Sequence, residues 1–347
     1  MQTRHAANTP GLELDLSNPP VSPLGDAVLR ERLALALRLV GPTPTVALDE
    51  PGLDLRVKLE YANGIGSLKD RPALWVLRRA IERGDVGPRT HIVESSSGNF
   101  ALALAVLCRF LGLPFTAVVD PNLSPVYAQA LQAHGAAVAM VSRRDDTGGF
   151  LKTRLEHVRA LLADMPDAWW PNQYGNLDAA AAHYESTAGD IVRDLDHLDL
   201  VFIGVSTAGT IAGVSRRLKE HWPGVQVVAV DIQGSVIFGG APAPRRLPGL
   251  GSSIRPPLLD QARIDAVMTV SEDDARAGCL DLLRRHGLFA GASTGAVYAA
   301  IGQYRQDHPG LARPRALFLA ADRGSAYLDT VYGAPAAQAG VPRLPNR

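Results

Sequence analysis

Short apolar runs alternate with amphipathic stretches along the middle of this chain, and that alternation restricts the fold more than any other feature. The runs are Arg56 to Tyr61, His91 to Glu94, Phe115 to Val119, Ala137 to Val141, Leu200 to Ile203, Gln226 to Val230 and Ala316 to Leu319. Helical periodicity opens near Ala27 to Leu39. It then fills Asp70 to Arg83, Asn99 to Leu111, Phe150 to Ala163, Ala179 to Leu195, Thr210 to His221, Glu272 to Arg285 and Thr294 to Arg305. Strands separated by helix-length connections can lie parallel, whereas hairpin turns would force them antiparallel. The expectation is therefore an α/β protein of mostly parallel sheets covered by helices on both faces. Ligand sites of such sheets gather at the carboxyl ends of the strands.

The 347 residues are enough for two lobes sharing a cleft. The alternation is interrupted at Trp169-Trp170-Pro171-Asn172-Gln173-Tyr174, where a crossing between lobes is expected. Before residue 26 the chain carries Pro10, Pro19, Pro20 and Pro23 and reads as an irregular arm, and after Tyr332 it reads as a loose tail. Lys and Arg together number 35, as do Asp and Glu, so no basic field argues for nucleic acid or an anionic membrane surface. Small molecules are the expected partners. Cys108 and Cys279 each sit in an apolar stretch, which suggests buried packing residues in a reducing compartment and neither a disulfide nor a metal site. Met1 to Asn8 lack the apolar core of a signal peptide, and no apolar run is long enough to span a bilayer, so a cytoplasmic protein is expected.

Four loops carry chemistry. In Gly64-Ile65-Gly66-Ser67-Leu68-Lys69-Asp70-Arg71-Pro72, one lysine stands at the mouth of a helix behind a glycine-rich turn. Such a lysine is ordinarily a solvated charge, but desolvated it becomes an amine nucleophile toward a carbonyl or aldehyde. Ser95-Ser96-Ser97-Gly98-Asn99 is a small-residue loop rich in donors. Gly204-Val205-Ser206-Thr207-Ala208-Gly209-Thr210 joins a strand to a helix, where free amides and the positive helix end favour a phosphate. It lacks the Gly-Lys-Ser/Thr ending of a Walker loop, and alone it could be only a tight connection. Gly291-Ala292-Ser293-Thr294-Gly295 opens another helix, a role that capping by Ser or Thr would explain.

Together, an amine, a phosphate cradle and two small-residue loops describe a site for an aldehyde cofactor that carries a phosphate. With these motifs in this order, from about Leu37 to about Ala321, the chain resembles the cysteine synthase family, that is, the fold type II pyridoxal-phosphate enzymes. The resemblance implies a two-lobed, tryptophan synthase β-like fold with pyridoxal 5'-phosphate as cofactor. It implies a large cofactor-binding domain of residues 26–75 and 175–332, a small mobile substrate domain of residues 76–174, and a homodimer. Lys69 matches the lysine that carries the cofactor covalently. Asn99 matches the asparagine that bonds the ring hydroxyl oxygen. Ser206, Thr207, Ala208, Gly209 and Thr210 match the phosphate loop, and Ser293 matches the residue facing the pyridine nitrogen. Ser95, Ser96, Ser97 and Gly98 match the loop that grips the substrate α-carboxylate, and Gln173 matches a second carboxylate contact.

A hydroxyl such as that of Ser293 cannot hold the ring nitrogen protonated as a carboxylate would. That disfavours transamination and suits loss of a β leaving group from an activated serine, with Lys69 taking the α-proton as base before a second substrate adds. Within the family, Glu94-Ser95-Ser96-Ser97-Gly98-Asn99, Val205-Ser206-Thr207, Val230 to Gly239, Leu247 to Ser253 and Gly287 to Gly291 resemble a siderophore-pathway branch. That branch joins O-phospho-L-serine to L-glutamate, giving a precursor of 2,3-diaminopropionate. Where sulfide-using members have Asn-Pro-Ala-Asn, this chain has Asn176-Leu177-Asp178-Ala179-Ala180. A glutamate acceptor and a phosphate leaving group both need cations, for which Arg255, Arg71 and Arg245 are the candidates. The alternatives are a cysteine synthase using sulfide, a catalytically silent regulatory homologue, and a dehydratase-like elimination to a keto acid. His183 and Tyr184 read as structural residues, and Tyr174 as either an entrance residue or packing between lobes.

Overall fold

A computed structural model describes residues 25–310 and 312–333. The expected arm and tail lie outside the described residues, apart from their single inner positions 25 and 333. Strands and helices alternate as the sequence predicts, and the described residues hold ten strands and ten α-helices against the seven and eight expected. The first sheet contains β1 (Thr45–Glu50), β2 (Leu53–Leu59), β7 (Leu200–Gly204), β8 (Gln226–Ile232), β9 (Ala266–Val270) and β10 (Arg315–Ala320), in the spatial order β1-β2-β10-β7-β8-β9. Every neighbouring pair is parallel except β1 with β2. The second sheet is fully parallel, in the order β5 (Ala137–Met140), β4 (Phe115–Val119), β3 (His91–Ser95), β6 (Ala168–Trp169).

Both sheets are covered on two faces, which is why their central strands read as continuous apolar runs rather than alternating ones. On one face of the larger sheet, Leu55, Val57, Phe202 and Phe318 pack against α9 (Glu272–His286) and α10 (Ala292–Asp307). On the other, Val201, Ile203, Val227 and Leu317 meet α8 (Gly209–His221) and α7 (Ala188–Asp194). The smaller sheet packs Ile92, Phe115 and Ala117 against α2 (Asp70–Arg83) and α3 (Asn99–Leu111), and Val93 and Val118 against α5 (Leu151–Asp164). The first helix, α1 (Asp26–Ala36), buries Leu29, Leu33 and Ala36 in that smaller-sheet cluster, although the sequence reading assigned residues 26–75 to the larger lobe. Helix α2 serves both sides. Leu74 and Leu77 belong to the smaller sheet's cluster and Val76 to the larger sheet's, so the residue before α2 sits where the two packing units meet.

Elements that the sequence pattern did not reveal are short or lie at an edge. Strand β1 is an exposed antiparallel edge, β9 alternates in exposure at the opposite edge, and β6 has only two residues. Helix α4 (Pro125–Ala133) buries only Leu131 and is started by Ser124, whose side chain accepts from the Tyr127 amide. The long helix expected from Ala179 to Leu195 is α6 (Leu177–Ala182) running through a π-helical turn, His183–Thr187, into α7. Such turns are inserted into helices mostly near functional sites. Both cysteines are buried, as expected.

The crossing of α9 over α10 depends on absent side chains. A Cβ on Gly278 would stand 2.1 Å from the Gly295 carbonyl oxygen, and one on Gly295 would stand 2.3 Å from the Cys279 sulfur. Gly295→Ala should therefore force the helices apart and cost about 1–3 kcal/mol. The denaturant midpoint of the variant checks this, and an unchanged midpoint would show that the crossing is not tight.

Candidate active site

The loops at the carboxyl ends of β2, β7 and β10 converge on one cavity. Its walls include Lys69, Asn99, Ser206, Thr207, Ala208, Thr210, Ser293 and Asp322. All four loops singled out in the sequence reach it in part, the Ser95 loop through Asn99. Gly209, Ser95 to Gly98, Gln173 and Arg255 are not among the lining residues.

The lysine turn is organised by the buried carboxylate of Asp70. Its Oδ2 accepts from the Ile65 and Gly66 amides at 2.9 and 2.8 Å, and its Oδ1 accepts from the Ser67 hydroxyl at 3.1 Å. Gly66 has φ of +121°, a conformation that a side chain would resist. The Leu68 amide donates to the Ala321 carbonyl at 2.8 Å, tying the turn to the end of β10. The chain has only four lysines. Lys58, Lys152 and Lys219 are ion-paired with aspartates. Among the described residues, Lys69 has no ion pair. Lost solvation lowers its amine to about 8, against the opposing charge of Asp322. A substantial neutral fraction is then present near pH 8, as a nucleophile and proton acceptor requires.

At the carboxyl end of β7, Ala208 adopts a left-handed conformation at φ +65° directly before α8. Strain of this kind at a non-glycine residue persists where the surroundings hold it, and it stands here at a helix N-terminus, where free amides favour an anion. The Ser206 hydroxyl donates to the Gly251 carbonyl at 3.0 Å. Thr210 Oγ1 lies 3.2 Å from Nε2 of His183, whose Nδ1 is 2.9 Å from the Thr187 hydroxyl. Burial, with the Lys69 and Arg71 cations nearby, lowers His183 well below the usual imidazole range and keeps it neutral. The sequence reading treated His183 as structural, yet the π-helical turn brings it against the cradle. Tyr184 behaves as expected, bonding Glu220 near the surface.

Sequence reasoning missed Asp322, two residues past the end of β10. Its Oδ2 accepts from Asn99 Nδ2 at 2.7 Å and from the Tyr327 hydroxyl at 2.8 Å, while Asn99 Oδ1 accepts from the Tyr127 hydroxyl at 2.5 Å. Its strand-end position was the available signal.

The serine loop is held from behind. Burial raises the Glu94 carboxyl to about 7, although Trp170 Nε1, the Ser95 amide and the Gln173 amide donate to it at 3.1, 2.8 and 3.3 Å. Gln173 Nε2 donates to the Ser95 carbonyl at 3.0 Å, so the two expected carboxylate-binding segments do come together. The Ser96 hydroxyl accepts from the Ala101 amide, and the buried Ser95 hydroxyl has no partner among the described residues.

The arginine assignments need correction. Arg255 is an exposed residue paired with Asp260 at 2.6 Å, away from the cavity. Arg71 is buried and its guanidinium is already occupied by Glu60 and Asp190. Arg245 remains available: its guanidinium donates to the Gly234 carbonyl and reaches the Ser253 hydroxyl, and no carboxylate lies within ion-pair distance of it among the described residues. Arg154, which the sequence did not single out, pairs Nη1 with Asp120 Oδ2 at 3.3 Å, brings the same nitrogen to 3.3 Å from the Ser97 hydroxyl, and leaves Nε without a partner among the described residues. Both arginines act electrostatically on the Tyr174 hydroxyl.

An amine for an aldehyde, a helix N-terminus for a dianion, an amide donor and a neutral hydroxyl therefore surround one space. This donor set fits a phosphorylated pyridine aldehyde. Residues 36–320 match the family described as pyridoxal-phosphate dependent enzyme. The chain belongs to that family. It is similar to two proteins named N-(2-amino-2-carboxyethyl)-L-glutamate synthase. The one from Ralstonia nicotianae is 48% identical over 299 residues, 84% of this chain and 88% of that one. The one from Cupriavidus metallidurans is 45% identical over the same shares. Among solved structures, the O-acetylserine dependent cystathionine beta-synthase from Helicobacter pylori superposes with a TM-score of 0.80 at 29% identity, covering 86% of this chain and 98% of that one. O-ureido-L-serine synthase gives 0.79 at 30% identity, covering 85% and 93%. This member of the pyridoxal-phosphate family is thus a β-replacement enzyme of the cysteine synthase type, as its sequence suggested. No helix among the described residues is long and apolar enough to cross a membrane.

Proposed function

We propose that this enzyme transfers the three-carbon unit of an O-activated L-serine, O-phospho-L-serine above all, to the amino group of L-glutamate. The products are N-(2-amino-2-carboxyethyl)-L-glutamate and phosphate, on a route to 2,3-diaminopropionate for siderophores or related molecules. The observation that carries the choice of acceptor is that Arg154, which reaches Ser97, and Arg245, which reaches Ser253, both act on the Tyr174 hydroxyl. Arg154 at the α-carboxylate loop and Arg245, which has no carboxylate partner among the described residues, suit a leaving phosphate and a dicarboxylate acceptor, and sulfide would need neither. The names of the two bacterial relatives support the same reading.

In this reading Lys69 holds the cofactor, the amides of Ser206 to Thr210 take its phosphate, Asn99 bonds its ring hydroxyl oxygen and Ser293 faces its ring nitrogen. Bound there, pyridoxal phosphate supplies an electron sink for bond breaking at the α-carbon of an amino acid. Ser95 to Gly98 and Gln173 orient the donor's α-carboxylate, and Lys69 Nζ takes the proton from its α-carbon. Ser293 offers only a hydroxyl, so the site favours loss of the β-substituent over transamination. The domains are a larger cofactor-binding unit and a smaller substrate unit. The assembly in this reading is a homodimer in the cytoplasm, and the exposed Val28, Leu35, Leu37 and Leu39 on and after α1 suit a second copy of the chain.

An acceptor screen tests this. The purified enzyme is given O-phospho-L-serine with glutamate, with sulfide or alone, and the products are identified by mass spectrometry. The adduct with glutamate should dominate. Cysteine formed efficiently, or pyruvate released without an acceptor, would contradict the reading.

A further inference from the structure

Asp322 is buried at the floor of the cavity, and nothing in the reaction as derived uses it. Its placement is costly: a Cβ on Gly291 would stand 1.9 Å from Oδ1, so the carboxylate fits only because position 291 has no side chain. One oxygen, Oδ2, takes both donors, Asn99 Nδ2 and the Tyr327 hydroxyl. The other, Oδ1, is buried with no hydrogen-bond partner among the described residues. A buried anion that is half unpartnered is stabilised by a nearby cation or by a ligand. The cation at hand is Lys69, on the same cavity wall.

The geometry also fixes the asparagine. Burial raises the Asp322 carboxyl, against the pull of Asn99, Tyr327 and the Lys69 charge; ionised, it can only accept, so Asn99 turns its nitrogen to Asp322 and its oxygen to the Tyr127 hydroxyl. One N–H is thereby spent on Asp322 and the second is left for a ligand. If the amide flipped, a carbonyl oxygen would face the ligand instead.

We propose that Asp322 is a positioning residue, whose buried charge locks the Asn99 amide nitrogen-first and holds a proton on the Lys69 nitrogen across the cavity. The other groups facing this pair leave the assignment to Asp322. His183 is neutral, Arg71 is sealed by Glu60 and Asp190, and Tyr127, Tyr327, Cys279 and Tyr332 are all raised by burial and stay protonated. Asp322 is the acidic group that acts on Lys69.

This inference rests on pyridoxal phosphate being held by Lys69, and its test separates the two. The visible absorption of the bound cofactor is titrated against pH in the holoenzyme, in D322N and in D322S, with thermal midpoints measured in parallel. Removing the negative charge weakens proton binding at the lysine nitrogen, so the spectral midpoint should fall by about one pH unit or more in both variants. The second variant guards against a failure of D322N to fold. Wild-type protein with no visible absorption would overturn the cofactor reading itself. A wild-type spectrum that titrates, with variants that lose thermal stability or cofactor affinity but keep its midpoint, would overturn the inference and leave Asp322 a structural role only.

Discussion

Lys69→Ala should lower the rate of product formation by at least about 10³-fold, the combined effect of losing the covalent anchor and the α-proton base. The effect should fall chiefly on turnover, because what Lys69→Ala removes from the fold is the attraction to Asp322 and no ion pair among the described residues. Of the four lysines, Lys58, Lys152 and Lys219 are each engaged by an aspartate, so none is free to substitute. Steady-state measurement of the glutamate adduct checks this. A variant within tenfold of the wild-type rate would show that the amine is dispensable.

The second large effect is on stability. Arg71, two residues after Lys69, is buried with Nε 2.6 Å from Glu60 Oε2 and Nη2 2.7 Å from Asp190 Oδ2. Glu60 is itself fully buried and also accepts from the Thr43 hydroxyl at 2.6 Å. Glu60→Ala would leave a buried guanidinium with only part of its compensation, and breaking such a pair from one side costs about 3–5 kcal/mol. Replacing both partners by apolar residues should cost much less, since no unpaired charge would remain. Urea unfolding of Glu60→Ala, and of Glu60→Leu combined with Arg71→Met, measures the two cases. Equal losses would mean that packing, not charge, is what the network supplies.

How much of this was legible in the sequence depended on how local the signal was. Helices α2 and α3 begin and end where periodicity places them, because glycines 84 and 112 stop them in left-handed conformations. Strands β3, β4 and β7 were readable because burial on both faces leaves them uniformly apolar. Strands β1 and β9 were not, because an edge strand half-exposed to water looks like loop. The four loops of the site were visible through their glycine and hydroxyl content. Asp322, Arg154 and the role of His183 were not, since a lone aspartate, arginine or histidine acquires meaning only from distant residues that the fold brings beside it. Arg71 and Arg255 failed for the same reason in reverse. Their neighbours in the sequence suggested a site, and their neighbours in space are Glu60, Asp190 and Asp260.

Borohydride reduction of the purified holoenzyme, followed by protease digestion and mass spectrometry of the peptides, locates the cofactor directly. The reduced cofactor's mass should appear on the peptide containing Lys69. Finding it on Lys58, Lys152 or Lys219, or on no lysine of a catalytically active protein, would contradict the assignment of Lys69 on which the account of this site depends.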